Sequence, residues 1–202
     1  MRVVIGLVLI AALAVLAGME LVGRPGKAHP ARAKDPALLA ALINAYHEAV
    51  RRSPPRRPGP IGFVAYFFLD RHPVMGHSWT LWRLEEEIRS FHDPRVHFAL
   101  NCGAVSCPPI HDYDPVHLDQ QLDMATRNFL ENEQGVRIDV TNRTVYLSSL
   151  FKWYRKDFGD PVRFIEPYLT PEQHARLRQV EPNPAIRYLP WDWSPVPLSP
   201  LE

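Results

Sequence analysis

The sequence predicts an α+β fold: one domain with a mainly antiparallel sheet packed by helices, behind an N-terminal apolar helix. Three observations predict it. Apolar residues recur at helical spacing behind Asp-Pro, Thr and Ser starts. Short runs elsewhere alternate with period two, and two of them flank a three-residue turn at Thr141–Arg143. Hydrophobic residues make up 46% and charged residues 22% of the 202, enough apolar material to bury a core.

Val3–Met19 is an unbroken apolar run after Arg2. As a helix it would span roughly 26 Å, slightly short of a bilayer core and long for the centre of a signal peptide. Val15-Leu16-Ala17 offers small residues to a signal peptidase, and Met19 stands where a lipoprotein cysteine would be. Residues 1–22 are therefore read as a signal peptide or membrane anchor, with the domain extracytoplasmic in the periplasm or cell envelope. The cations at Arg24, Lys27, Arg32 and Lys34 argue for the other orientation, a cytoplasmic domain on an anchor. Residues 23–35 form a linker, 36–195 the domain and 196–202 a tail.

Asp35-Pro36 is a helix start, with Asp as N-cap and Pro in the first turn. Leu38, Leu39, Leu42, Ile43 and Tyr46 continue it as an apolar stripe to about Arg52. The proline cluster 53–60 ends it. Ile61–Leu69, dense in apolar and aromatic residues, is read as a strand. Thr80 caps a helix over Leu81–Phe91. On its wheel Glu85 lies between Leu81, Trp82 and Ile88, at the edge of the buried stripe. It is either half of an i,i+4 pair with Arg89 or a carboxylate held inward for a purpose. Asp114-Pro115 opens a helix to about Glu131. Val136–Val140 and Val145–Leu147 form a hairpin, Ser148 or Ser149 caps a short aromatic helix over Leu150–Phe158, and Thr170-Pro171 opens another. Ile186–Trp193 is a final strand or extended segment.

The stretch DPRVHFALNCGAVSCPPI (93–110) holds both cysteines of the chain. Val96, Phe98 and Leu100 alternate with His97, Ala99 and Asn101, the pattern of a half-buried strand that Gly103 and Pro108-Pro109 would stop. Two cysteines are too few for a disulfide scaffold. A net charge of +1 provides no basic footprint for nucleic acid.

These segments resemble the domain-of-unknown-function family number 547, found in bacterial exported proteins and as a C-terminal domain in plant proteins. DPRVHFALNCGAVSCPPI is similar to the family's central motif almost throughout. TLWRLEEEIRS (80–90), LDQQLDMATRNFL (118–130), VYLSSLFKWYRKDFG (145–159) and YLPWDWS (188–194) resemble family segments in family order. The first helix departs from the pattern: LLAALINAYHEAV keeps Asn44 and Tyr46 but has Ala41-Leu42 for an aromatic pair and His47 for a second Asn. Glu86 follows Glu85 where the family often has Glu-His. At fold level alone, the resemblance implies a distant likeness to papain-like and transglutaminase-like cysteine enzymes.

Three chemistries fit the residues. In the first, a cysteine-dependent hydrolase or acyl transferase, Cys107 is the nucleophile, His97 the base and Glu85 or Asn44 the orienter. Cys102 replaces Cys107 if a bulge changes strand parity. The backbone of Gly103–Ser106 would donate to an oxyanion, and the substrate would be a peptide or an acyl donor. In the second, Cys102 and Cys107 form a disulfide in a non-catalytic binding or structural module of the envelope. In the third, His97, Cys102, Cys107 and His111 ligate zinc, but the close Cys pair of such sites is missing. The expectation is therefore no cofactor and no metal, and a monomer that meets the membrane only through its N-terminal segment.

Overall fold

The computed structural model describes residues 35–56 and 59–196. The apolar run read as a signal peptide or anchor lies outside the described residues, as does the end of the tail. Among the described residues no helix is long and apolar enough to cross a membrane. The architecture is α+β, rich in helix, with two small sheets.

Helix α1 (Pro36–Arg52) starts where the Asp35 carboxylate accepts the Leu38 N–H at 3.0 Å. It buries Leu39, Ile43, Tyr46 and Val50 along one stripe. The expected strand at 61–69 is instead helix α2 (Gly59–Phe68). Its apolar residues surround the axis rather than alternate, and the three-residue step from Phe63 to Tyr66 places both inside the core. A short hairpin follows, β1 (His72–Val74) with β2 (His77–Trp79), turned on Met75 and Gly76 at positive φ. Strands of three residues are too short to show alternation in sequence. Helix α3 (Leu81–Arg89) begins at Thr80, whose hydroxyl accepts the Arg83 N–H at 3.2 Å, and buries Leu81, Leu84, Glu85 and Ile88.

The expected strand at 96–101 is also replaced, by a 3₁₀ turn over Pro94–Phe98. Asp93 caps it through the Arg95 N–H, and Pro94 opens it, the same local chemistry that starts α1. Alternation is absent: all six residues from Val96 to Asn101 are buried. Arg95 fixes the turn to helix α4 (Leu118–Glu131) by bonds to Asp119 and Asp123, both at 2.7 Å.

Strands β3 (Val136–Asp139) and β4 (Thr144–Leu147) form the expected antiparallel hairpin. The aromatic helix breaks at Tyr154 into α5 (Ser149–Trp153), capped by Ser148, and α6 (Arg155–Phe158). Helix α7 (Pro161–Ile165), a 3₁₀ turn at Glu166–Tyr168 and α8 (Pro171–Val180) follow, the last with a reciprocal Thr170–Gln173 capping box. Strand β5 (Ala185–Tyr188) then adds to β4 in parallel, so the three-stranded sheet is mixed.

The core has two clusters. One gathers α1, α2, α3 and the residues around the cysteines; the other gathers the sheet, the end of α4 and α5–α8. The 94–98 turn crosses their seam, sending Val96 into the first cluster and Phe98 into the second. Buried His97 lies between them.

Candidate active-site cavity

The loop that carries the thiols is tied down on three sides. Asn101, 4% exposed, donates to Pro108 O at 2.5 Å and accepts the Gly103 N–H at 2.6 Å, so one amide closes the loop across its neck. The C-terminal segment laces the loop's outer edge: Val105 N–H donates to Ser194 O at 2.9 Å and Val196 N–H to Gly103 O at 2.8 Å. Ser106 N–H bonds Asp192 O, and the Ser106 hydroxyl accepts the Asp192 N–H. On the third side Pro55, from the proline cluster, packs against Gly103, whose φ is +90°.

These bonds overturn one expectation. Of the N–H groups at Gly103–Ser106 proposed for an oxyanion, those of Gly103, Val105 and Ser106 are committed to Asn101, Ser194 and Asp192. The Ala104 N–H serves the sulfurs instead.

Cys102 and Cys107 are free thiols with their sulfurs 3.0 Å apart. Both are half-buried; the two differ in electrostatics. The bond to Cys107 and then burial push the Cys102 thiol well up. Burial also pushes Cys107 up, but bonds from the Cys102 thiol and from the Cys102 and Ala104 N–H groups outweigh it, and Cys107 lies below the ordinary thiol value. The Cys102 N–H stands 3.4 Å from the Cys107 sulfur. If either thiol ionises first, it is Cys107.

Glu85 is 4% exposed, and burial raises its pKa to about 7 against a Tyr154 hydrogen bond and the Arg89 charge. Its Oε1 is buried without a hydrogen-bond partner. The pair with Arg89 offered as one reading of Glu85 gives way to another: the Arg89 guanidinium forks onto Asp157, Nε to Oδ2 at 2.8 Å and Nη2 to Oδ1 at 3.1 Å. Asp157 Oδ2 also meets His97 Nε2 at 2.9 Å. Burial raises the Asp157 carboxyl, but the His97 and Arg89 bonds hold it well below the usual carboxylate range. Burial lowers the pKa of His97, so the ring is neutral at pH 7. An ionised carboxylate only accepts, which puts the proton on Nε2 and leaves Nδ1 bare. The ring is further held by Tyr154, stacked on it at 4.0 Å between centroids.

Both thiols, Glu85 and His97 line one cavity of about 90 Å³ at the seam of the two clusters. Its walls are otherwise aromatic and aliphatic. Asn44 is not among its lining residues. Its amide pairs with the Tyr113 backbone in both directions, at 2.8 and 2.9 Å, which makes it a clamp between α1 and the segment after the thiol loop. His47 braces the same region, with Nε2 2.7 Å from Ala99 O and Nδ1 3.1 Å from His111 O. Asp157 and Asn101 escaped the sequence reading. Asn101 had a local signal, an Asn two residues before a Gly in a loop, where its side chain bonds backbone two residues on. Asp157 had none. Among the described residues, no three His, Cys, Asp or Glu side chains gather as a metal ion would need.

Fold and site together define a helix-rich α+β domain with a dithiol at the wall of an aromatic cavity. Residues 71–130 match the family model described as a protein of unknown function, DUF547, and over that stretch the chain is DUF547-like. The match contains Glu85, His97 and both cysteines. No curated protein and no solved structure matches the chain, and the likeness to papain-like enzymes is not among these findings.

Proposed function

We propose that the chain is a cysteine-dependent hydrolase or acyl transferase of the cell envelope, held there by its N-terminal segment. One observation carries the reading: elements far apart in sequence bring two thiols, a histidine oriented by an aspartate and a buried carboxyl group to one cavity. His97 Nδ1 takes the Cys107 proton, and the sulfur attacks the carbonyl carbon of an ester, thioester or amide. The C–S bond forms, the bond to the leaving group breaks, and the leaving group takes the proton from His97. Water then gives a proton to His97 and attacks the acyl carbon, and the Cys107 sulfur departs with that proton. An acyl transferase uses a second nucleophile in place of water. With the loop N–H groups engaged, Glu85 in its acid form donates to the carbonyl oxygen, as a carboxylic acid kept neutral by burial can.

The 3.0 Å sulfur contact favours a second reading, a non-catalytic module closed by a Cys102–Cys107 disulfide. Mass spectrometry of the full-length chain, treated with alkylating agent and with acyl thioesters before and after reductant, separates the two. Acylation of Cys107 that turns over, vanishes in Cys107→Ser and slows in His97→Ala supports the enzyme. Thiols that alkylate only after reductant, with no acyl adduct from any donor, support the module.

A further inference from the structure

Resting on that reading, we infer that the site takes acyl donors whose acyl group is short, uncharged and aliphatic, and turns away those with an anionic tail. Its wall is built for this. Phe63, Trp153, Trp191 and Trp193 make a continuous aromatic surface, with ring centroids 4.9 Å apart for Trp153–Trp191 and 5.5 Å for Phe63–Trp193 and Trp153–Trp193. Among the described residues that line the cavity there is no lysine or arginine. A carboxylate, sulfonate or phosphate entering with the acyl group would lose its water and meet no lysine or arginine on the wall.

The polar atoms left over are suited to a carbonyl. Glu85 Oε1 and Trp191 Nε1 are buried without hydrogen-bond partners. An indole N–H is a donor only, and a protonated carboxyl adds a second donor. An ester or thioester carbonyl supplies the acceptor that both lack; an aliphatic tail then lies against the rings.

Size limits the tail. A cavity of ~150 Å³ takes up a benzene ring, and this one measures about 90 Å³, room for a short aliphatic chain and less than a ring needs. Phe67, Phe68 and Trp82 are only half-buried on its α2 side, so a leaving group can project between them.

The test uses the full-length Cys107→Ser chain and three thioesters of N-acetylcysteamine: butyryl, phenylacetyl and succinyl. Butyryl and succinyl share a four-carbon acyl group and differ by a carboxylate. Tryptophan fluorescence reports binding, because Trp82, Trp153, Trp191 and Trp193 line the wall. Butyryl is expected to bind at least about tenfold more tightly than succinyl or phenylacetyl, and Phe68→Lys, at the half-exposed rim, to narrow the gap to succinyl. Succinyl or phenylacetyl binding as tight as butyryl, or no response to any of the three, overturns the inference. Selective butyryl binding with no acylation of wild-type Cys107 keeps the ligand class and removes the enzyme reading.

Discussion

Asp157 Oδ2 lies 2.9 Å from His97 Nε2 across 60 residues of chain. Because Arg89 shares the same oxygen, the carboxylate is pinned on one side and pins the imidazole on the other. A ring held at Nε2 can accept a proton only at Nδ1, which is the condition for an oriented base.

Asp157→Asn should therefore cut the rate of Cys107 acylation by roughly 10²–10⁴-fold, the range seen when a catalytic histidine loses its proper tautomer or its role as base. Binding of the same donor to the variant should change little. Stopped acylation time courses and fluorescence titrations measure the two; equal losses in both would make Asp157 a residue of general stability.

The thiols should titrate unequally. In the reduced protein, iodoacetamide should reach Cys107 first and at lower pH than Cys102. Cys102→Ala removes a donor to the Cys107 sulfur and should raise its apparent pKa, whereas Cys102→Ser keeps a hydroxyl there and should raise it less. Peptide mapping of alkylation across pH reads both. A faster Cys102 would exchange the roles of the two residues.

Glu85 makes stability depend on pH. Its pKa is raised from 4.5 to about 7 by burial, so the native state holds a proton that the unfolded chain releases. The stabilisation is fully present below pH 4.5, falls as pH rises between 4.5 and about 7, and is lost above that window. Its size is on the order of 3 kcal/mol. Urea unfolding at pH 5 and pH 8 should show this loss, and Glu85→Gln should flatten it. Acylation should also fall above pH 7 as Glu85 ceases to donate. An unchanged pH slope in Glu85→Gln would remove both roles.

Gly103→Ala should cost about 2 kcal/mol of stability, since overpacking and a positive-φ substitution act together. A Cβ there would stand 2.6 Å from Pro55 Cδ, on a residue with φ of +90°. Gly76→Ala has comparable backbone strain, φ +78°, with nothing nearby to clash, and should cost less. Similar losses at the two sites would mean that Pro55 yields freely.

Much of this fold was legible because helix starts are local. Asp35-Pro36, Thr80 and Thr170-Pro171 each announce a helix through a side chain that reaches an N–H two or three residues away. The β3–β4 hairpin was legible for the same reason: one face of each strand is buried, and alternation records it. Cys102, Cys107, His97 and Glu85 were marked by residue type and position. Their convergence on one cavity was not marked.

Only the tertiary structure decided the remainder. Periodicity reports burial on one side of an element, and residues 96–101 are buried on every side because the chain passes between two cores there. Helix α2 misled in the same way, its apolar residues distributed around the axis. Asp157 found His97, and Asn44 found the Tyr113 backbone instead of the cavity, through long-range packing that leaves no trace in local spacing. Short-range hydrogen bonding and one-sided burial can be read along a chain; a carboxylate meeting an imidazole 60 residues away depends on where two cores come to rest against each other.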